Sequence, residues 1–297
     1  MEDEITLNRR KNLEGYLFIS PWIVGFICFV LFPTVFSLYL SFTDWPLVGS
    51  PTWVGLNNYI KLFSDRNFYH SLYVTAIYVL ITVVPGMIFS ILISVLLNQK
   101  IRMKGFFRTI FYLPAIIPGI AVYVMFTWIL NPDYGLLNYL LSIIGIQGPK
   151  WLQSSDWSLL SIGLVSWWSV GSNMVLYLAG LQGIPGDYYE AAKIDGASNI
   201  KMFFKITLPL LSPTIFFSLI IGIINAFQAF NQALVMTNGG PADSTLLYVL
   251  YLYKNAFVYF KMGYASALAW VLLVIVVILN VILFKTSDKW VYYEGEK

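Results

Sequence analysis

Charged residues leave six long gaps in this chain, and those gaps restrict it to one class of fold. Runs free of Asp, Glu, Lys and Arg lie at Gly15–Thr43, Asn67–Gln99, Thr109–Pro132, Trp157–Gly186, Ile206–Ala242 and Met262–Phe284, and no other run exceeds 16 residues. A helix needs about 20 mainly apolar residues to cross the hydrocarbon layer of a bilayer. The runs are continuously apolar, not alternating over ten-residue segments, so a membrane β-barrel is excluded. The sequence therefore predicts an all-α membrane protein with six transmembrane helices, at about 17–41, 71–97, 107–130, 158–181, 208–233 and 263–284. With 11% charged and 58% apolar residues, the chain could not clothe a soluble core of this size, which excludes a soluble enzyme. The single cysteine, Cys28, excludes a disulfide scaffold, and the single histidine, His70, excludes a three-histidine zinc site. A net charge of +3 is too small to imply a nucleic-acid partner.

The placement of the charges gives a topology. One side of the six spans collects Arg9, Arg10, Lys11, Lys100, Arg102, Lys104, Arg108, Lys193, Lys201, Lys205, Lys285, Lys289 and Lys297, which is 13 basic residues against 5 on the other. The positive-inside rule puts the 13 and both termini in the cytoplasm. The first apolar run is too long for the core of a cleavable signal, so it is expected to remain as a span. The termini are expected to carry no lipid anchor or further folded domain.

The extracytoplasmic connections are rich in Trp, Tyr, Gly and Pro. Trp45–Tyr59 and Tyr134–Ile144 fit the membrane interface, where amphipathic rings are favoured, with ligand contact as the alternative. Pro85-Gly86, Pro114, Pro118, Pro209 and Pro213 interrupt or begin apolar segments, which bilayers tolerate where the backbone faces other helices or a cavity.

No Asp, Glu, Lys, Arg or His falls within the apolar cores of the six helices, which argues against proton coupling because such carriers hold the coupling charge on those groups. Neutral polar groups are present instead. Asn225, Gln228 and Gln232 recur at spacings of three and four and would share one helix face, with Asn231 slightly off it. Trp167, Trp168 and Asn173 occupy the fourth span. Amides that donate and accept without net charge, beside aromatic faces, suit an uncharged, hydroxyl-rich solute. The same amides can also hold helices together by interhelical hydrogen bonds.

The connection between the fourth and fifth spans carries the most specific pattern. Ile184-Pro185-Gly186 stops one helix, and Asp187 with Glu190 three positions on could open a short new one in the manner of a capping box. Gly196 is placed to end it in the left-handed conformation, and Ser198 to cap the run into the fifth span. A short helix along the cytoplasmic surface is expected, slim at Ala191 and Ala192.

The spacing Glu190-Ala191-Ala192, three residues, Gly196, nine residues, Ile206-Thr207-Leu208-Pro209 resembles the signature of the inner-membrane permease subunits of binding-protein-dependent ABC importers. Thr237-Asn238-Gly239-Gly240-Pro241, Pro21-Trp22, Phe42-Thr43-Asp44-Trp45 and Val54-Gly55-Leu56-Asn57-Asn58-Tyr59 look like segments of their carbohydrate-uptake, MalF-like branch. The extra N-terminal spans and large periplasmic insertion of the maltose permease subunit are missing, so plain six-span sugar permeases are the nearer comparison. The resemblance implies the MetI-like permease fold and makes the short cytoplasmic helix a coupling helix docked in a cleft of an ATPase. Glu190, Ala191, Ala192, Asp195 and Gly196 would form that contact, with Glu190 pairing a basic residue of the ATPase as well as, or instead of, capping its own helix.

These readings combine into one expectation. Residues 1–16 form a cytoplasmic N-terminal segment, 17–284 a six-span permease domain with the coupling loop at 185–207, and 285–297 a cytoplasmic tail. The chain would be a multi-pass protein of a bacterial or archaeal cytoplasmic membrane and half of a pathway for an oligosaccharide or polyol. Its partners would be a second homologous permease, an ATPase dimer, an extracytoplasmic solute-binding protein, the sugar and the lipid bilayer, with no nucleic acid. There is no Gly-rich phosphate loop ending in Lys-Ser/Thr, so no cofactor is expected in this chain, and ATP and Mg would be bound by the partner ATPase. The alternatives are an ABC permease for a phosphate ester or amino acid, an ion-coupled secondary carrier, or a membrane transferase using Asp44, Asp133 or Asp243, for which no paired carboxylate motif is present.

Overall fold

The structure, a computed structural model, describes residues 15–47, 49–99 and 101–292. The basic residues Arg9, Arg10, Lys11, Lys100 and Lys297, and most of the expected N-terminal segment, lie outside the described residues. In chain order the elements are α1 (Gly15–Ser41), the bridge strands β1 (Thr43–Asp44) and β2 (Thr52–Trp53), α2 (Asn57–Phe63), α3 (Arg66–Asn98), α4 (Lys104–Ile116), α5 (Gly119–Ile129), α6 (Leu136–Ile143), α7 (Ser155–Ser169), α8 (Gly171–Gln182), α9 (Asp187–Ile194), α10 (Asn199–Phe227), α11 (Asn231–Met236), α12 (Tyr248–Tyr253) and α13 (Met262–Ser287). The described residues are mostly helical with almost no strand, as expected from the uncharged runs.

Four helices, α1, α3, α10 and α13, are each long and apolar enough to cross a bilayer. The count reaches six when α4 with α5, and α7 with α8, are each taken as one span. Those two spans are not the straight helices the uncharged runs suggest. α4 and α5 meet at 95° and α7 and α8 at 50°. Pro118 explains the sharper break: it sits at the N-cap of α5, and Ile117 before it is held extended, as a residue preceding proline prefers. The fifth span also ends early, at Phe227, and the chain restarts as α11.

The molecule forms two compact units. The first runs to Ser64 and takes in Leu252–Leu272, and the second comprises Asp65–Tyr251 and the chain from Leu273. In the first, Thr43 pairs with Trp53 and Asp44 with Thr52. The buried Asn58 amide donates to the carbonyls of Ser41 and Thr43 at 2.9 and 2.8 Å, closing the turn that follows α1. Gly263 is pressed so close to the Thr43 carbonyl that a Cβ would stand 1.8 Å from its oxygen. The Trp270 indole donates to Ser37 at 3.1 Å.

In the second unit, α3 is the central post. Asp65 caps it, its Oδ1 accepting from the Asn67 amide at 2.9 Å, and its other oxygen accepts from the Tyr251 hydroxyl. Gly86, Ser90 and Ser94 recur every fourth residue on α3, a small-residue stripe that lets a neighbouring backbone approach. The neighbour is α8: the Ser90 hydroxyl lies 3.2 Å from the Val170 carbonyl, and Ser94 donates to Met174 at 2.8 Å. Met174, Tyr177, Leu178 and Leu181 of α8 are buried beside Ile91 and Leu97 of α3.

Candidate functional site

Two features of the second unit bear on function: a polar cavity walled by α3, α7, α8 and α10, and the short helix α9.

The cavity measures about 210 Å³. Tyr78, Thr82, Val83, Gly86 and Met87 of α3 form one wall, Ser166, Trp167, Ser169, Val170 and Asn173 at the α7–α8 break a second, and Ser218, Gly222, Asn225 and Ala226 of α10 a third. Ala229 and Gln232 also line the cavity, and none of the lining residues is charged. The 50° break between α7 and α8 falls at this space, where Ser166, Trp167 and Ser169 supply hydroxyl and indole groups.

The sequence singled out seven polar pathway candidates here, and the structure gathers four of them. Trp167, Asn173, Asn225 and Gln232 line the cavity; Trp168, Gln228 and Asn231 do not. Trp168 packs edge-on against Phe126 at 5.4 Å. The expected common face of Asn225, Gln228 and Gln232 is corrected, because the α10 ladder ends before it: Gln228 is the C-cap and Gln232 belongs to α11. Asn225 and Gln228 are exposed, whereas Gln232 is buried and donates to the Tyr78 hydroxyl at 2.7 Å. The Trp167 indole N–H donates to the Ile81 carbonyl at 3.1 Å, which leaves its ring but not its donor to the cavity. The sequence reading passed over Tyr78, Thr82, Ser166, Ser169 and Ser218. They are single hydroxyls among apolar residues, and no spacing marked them. Ser218 is held by the buried Tyr177 hydroxyl of α8.

The α9 loop follows the expected outline with one change. Gly186, not Asp187, occupies the N-cap, and no side chain caps the helix there. Asp187 and Glu190 lie in its first turn and Lys193 in its last, each on the side that complements the helix dipole. The C-terminus is a full Schellman motif: Gly196, at φ +74°, donates from its N–H to Lys193, and Ala197 donates to Ala192 at 2.9 Å. Ser198 then caps α10, accepting from the Lys201 amide. Glu190, Ala191, Asp195 and Gly196 are exposed and Ala192 is half-buried, so the ridge they form faces outward, with Tyr188, Lys193 and Ile194 exposed beside it. Tyr189 turns the other way, its hydroxyl 3.0 Å from Thr207 Oγ1 at the base of α10.

A family model described as the binding-protein-dependent transport system inner membrane component matches residues 86–286. The chain is 48% identical to a probable ABC transporter permease protein, YesP, of Bacillus subtilis (strain 168), over 97% of this chain and 95% of that protein. It is 32% identical to a probable starch degradation products transport system permease protein, AmyD, of Thermoanaerobacterium thermosulfurigenes, over 94% and 96% of the two chains. Among solved structures, a chain of a bacterial ABC transporter involved in the import of the acidic polysaccharide alginate superposes with a TM-score of 0.83 at 23% identity, covering 96% of this chain and 99% of that one. That likeness establishes the all-α permease fold.

Proposed function

The chain belongs to the binding-protein-dependent transport system inner membrane components, a permease family of ABC transporters, and from that premise we propose that it forms half of the import path for a neutral sugar, an oligosaccharide or polyol. It is a multi-pass membrane transport subunit and not an enzyme. The observation that carries the sugar reading is the cavity at the α7–α8 break, whose lining offers hydroxyls, amides and an indole face and no charge. Such a set exchanges hydrogen bonds with sugar hydroxyls without the desolvation cost of an unpaired charge. The starch-product permease named above, alike over nearly the whole chain, supports the same class.

In this reading Trp167 supplies a ring face, and Asn173, Asn225 and Gln232 supply amides along the path, with Trp168, Gln228 and Asn231 outside the cavity lining. A second homologous permease supplies the other half. An extracytoplasmic binding protein delivers the sugar to the loops at 43–70, 131–157 and 234–262, and a cytoplasmic ATPase dimer binds ATP and Mg. The exposed ridge of α9 docks on that ATPase through Glu190, Ala191, Ala192, Asp195 and Gly196. Residues 17–284 make up the permease domain with its coupling loop at 185–207, and 1–16 and 285–297 flank it in the cytoplasm, the side the basic residues favour.

The test is uptake by the whole complex in proteoliposomes, supplied with its binding protein and a panel of neutral oligosaccharides, polyols, phosphate esters and amino acids. ATP-dependent uptake of a neutral sugar is expected. Uptake confined to a charged solute would overturn the sugar assignment, and ion-driven uptake without the ATPase would overturn the coupling scheme.

A further inference from the structure

The helix that walls the cavity has a soft joint at its base, and the docking helix grips it there. α10 is not α-helical throughout: Phe203–Thr207 is a π-turn, closed by the Leu208 N–H to the Phe203 carbonyl. A π-turn carries one residue more than the α ladder around it and can be relieved by shifting one hydrogen bond. Pro209 follows at once. It has no N–H, so the Lys205 carbonyl lacks its helical donor, and the ladder is weak on both sides of Leu208. Further along, Ser212 Oγ donates to the Pro209 carbonyl at 2.6 Å, the acceptor that Pro213 leaves unfilled, so the helix is repaired there. From Leu208 onward it runs unbroken through Ser218, Gly222 and Asn225 in the cavity wall. Thr207 and Ser218 are eleven residues apart, about 16 Å of helix.

At the joint, Thr207 is buried, and its Oγ1 lies 3.5 Å from the Met202 carbonyl. With that hydroxyl proton directed at Met202, the oxygen is left to accept from Tyr189. Tyr189 stands on α9 between Asp187 and Glu190, in the first turn of the helix whose outer ridge carries the docking residues. The covalent link between the two helices is the short turn Gly196-Ala197-Ser198. A push on α9 can therefore act on α10 through the Tyr189 ring and hydroxyl.

We propose that the Tyr189–Thr207 hydrogen bond is a mechanical tie that passes movement of α9 to the π-turn of α10, and so to the Ser218–Asn225 wall of the cavity. Both residues are positioning residues that touch neither solute nor nucleotide. The inference rests on the reading of α9 as the helix docked on the ATPase. Loss of the tie leaves α9 free to follow the ATPase while α10 lags, so ATP is consumed without matching transport.

The experiment uses the complete transporter in proteoliposomes, with ATP hydrolysis and solute uptake measured together. Tyr189→Phe and Thr207→Val remove one hydroxyl each with almost no change of volume. Each is expected to raise the ATP consumed per solute imported by roughly three- to tenfold, the population shift one neutral hydrogen bond can bias. Thermal stability and ATPase co-purification should stay near those of the parent. The double variant should be no worse than either single one, because the bond can be lost only once. Thr207→Ser, which keeps the hydroxyl, should restore the parental ratio. Unchanged stoichiometry in both single variants, or losses that add in the double variant, would overturn the tie while the function stands. If the parent complex shows no hydrolysis dependent on the binding protein, the docking role of α9 fails and the tie with it.

Discussion

Trp167 repairs a fault made by Pro85. In α3 the Pro85 nitrogen has no proton to give the Ile81 carbonyl four residues back, and the Trp167 indole donates to that oxygen at 3.1 Å from across the helix interface. The proline that breaks the α3 ladder thus fixes an aromatic ring at the cavity wall, with Phe89 tilted against it at 5.2 Å.

Trp167→Phe should consequently destabilise the protein, because an acceptor in an apolar surrounding loses its donor, at about 1–3 kcal/mol. Adding Pro85→Ala returns the missing N–H and should recover much of that loss. Thermal unfolding of the four proteins of this cycle in detergent measures the coupling. Equal effects of Trp167→Phe with and without Pro85 would mean that the indole bond contributes nothing.

The amides of the cavity divide by burial. Gln232 is buried against Tyr78, whereas Asn225 is exposed within the lining. Asn225→Ala should leave stability within about 0.5 kcal/mol of the parent yet raise the solute concentration needed for half-maximal uptake. Tyr78→Phe should do the reverse at first order: it strands a buried amide proton, at about 1–3 kcal/mol, with a smaller effect on selectivity. If Asn225→Ala transports with unchanged kinetics, Asn225 is no part of the path.

Gly196 makes a sharper test of α9. It holds φ +74°, and a Cβ there would meet nothing within 4 Å, so a side chain would clash only with its own backbone. Gly196→Asn should be milder than Gly196→Val, since Asn visits the left-handed region readily and a β-branched residue does not, a difference on the order of 1 kcal/mol. The Schellman bonds of Gly196 and Ala197 would open first, visible as weakened ATPase co-purification with cavity mutants unaffected. Parity of the two variants would point to a role for Gly196 other than its backbone angle.

The uncharged runs in the sequence located every long apolar element, because excluding charge from hydrocarbon is a constraint on composition alone. They could not report the breaks. Pro118 and Val170 both lie inside uncharged runs, while the bends depend on backbone geometry and on which neighbour meets the freed groups. The spacing of Asn225, Gln228 and Gln232 misled for a related reason. Helical periodicity assumes a continuous helix, and neither glycine nor proline marks the stop after Phe227. The α9 loop was the most legible part, since Gly196 and Ser198 act through their own local bonds. Tyr189 and Thr207, 18 residues apart, meet only because the loop folds back.

The first unit yields a stability prediction from two sequence segments that fold onto each other. Phe42-Thr43-Asp44-Trp45 and Val54-Gly55-Leu56-Asn57-Asn58-Tyr59 meet through the Val54 N–H donating to the Phe42 carbonyl at 2.9 Å and the Phe42 ring against Tyr59, flanked by the Thr43–Trp53 bridge pair, the Phe42–Trp53 ring contact and the Tyr59 hydroxyl 2.8 Å from Ser41 Oγ. Asn58 is the centre of this knot: one buried amide nitrogen serves the carbonyls of both Ser41 and Thr43. Gly263 packs against the second of those carbonyls so tightly that water has no room to replace the amide on that side. Asn58→Leu keeps the volume and removes the donor, stranding two carbonyls, so it should cost roughly 2–4 kcal/mol. Asn58→Asp should be at least as harmful, because it sets a carboxylate against two acceptors and leaves it without a donor. Lower yield of folded protein and a lower unfolding temperature for both variants, with Asn57→Ala close to the parent, are the expected readouts. A fully stable Asn58→Leu would show that the turn after α1 is held by its aromatic contacts and not by the amide.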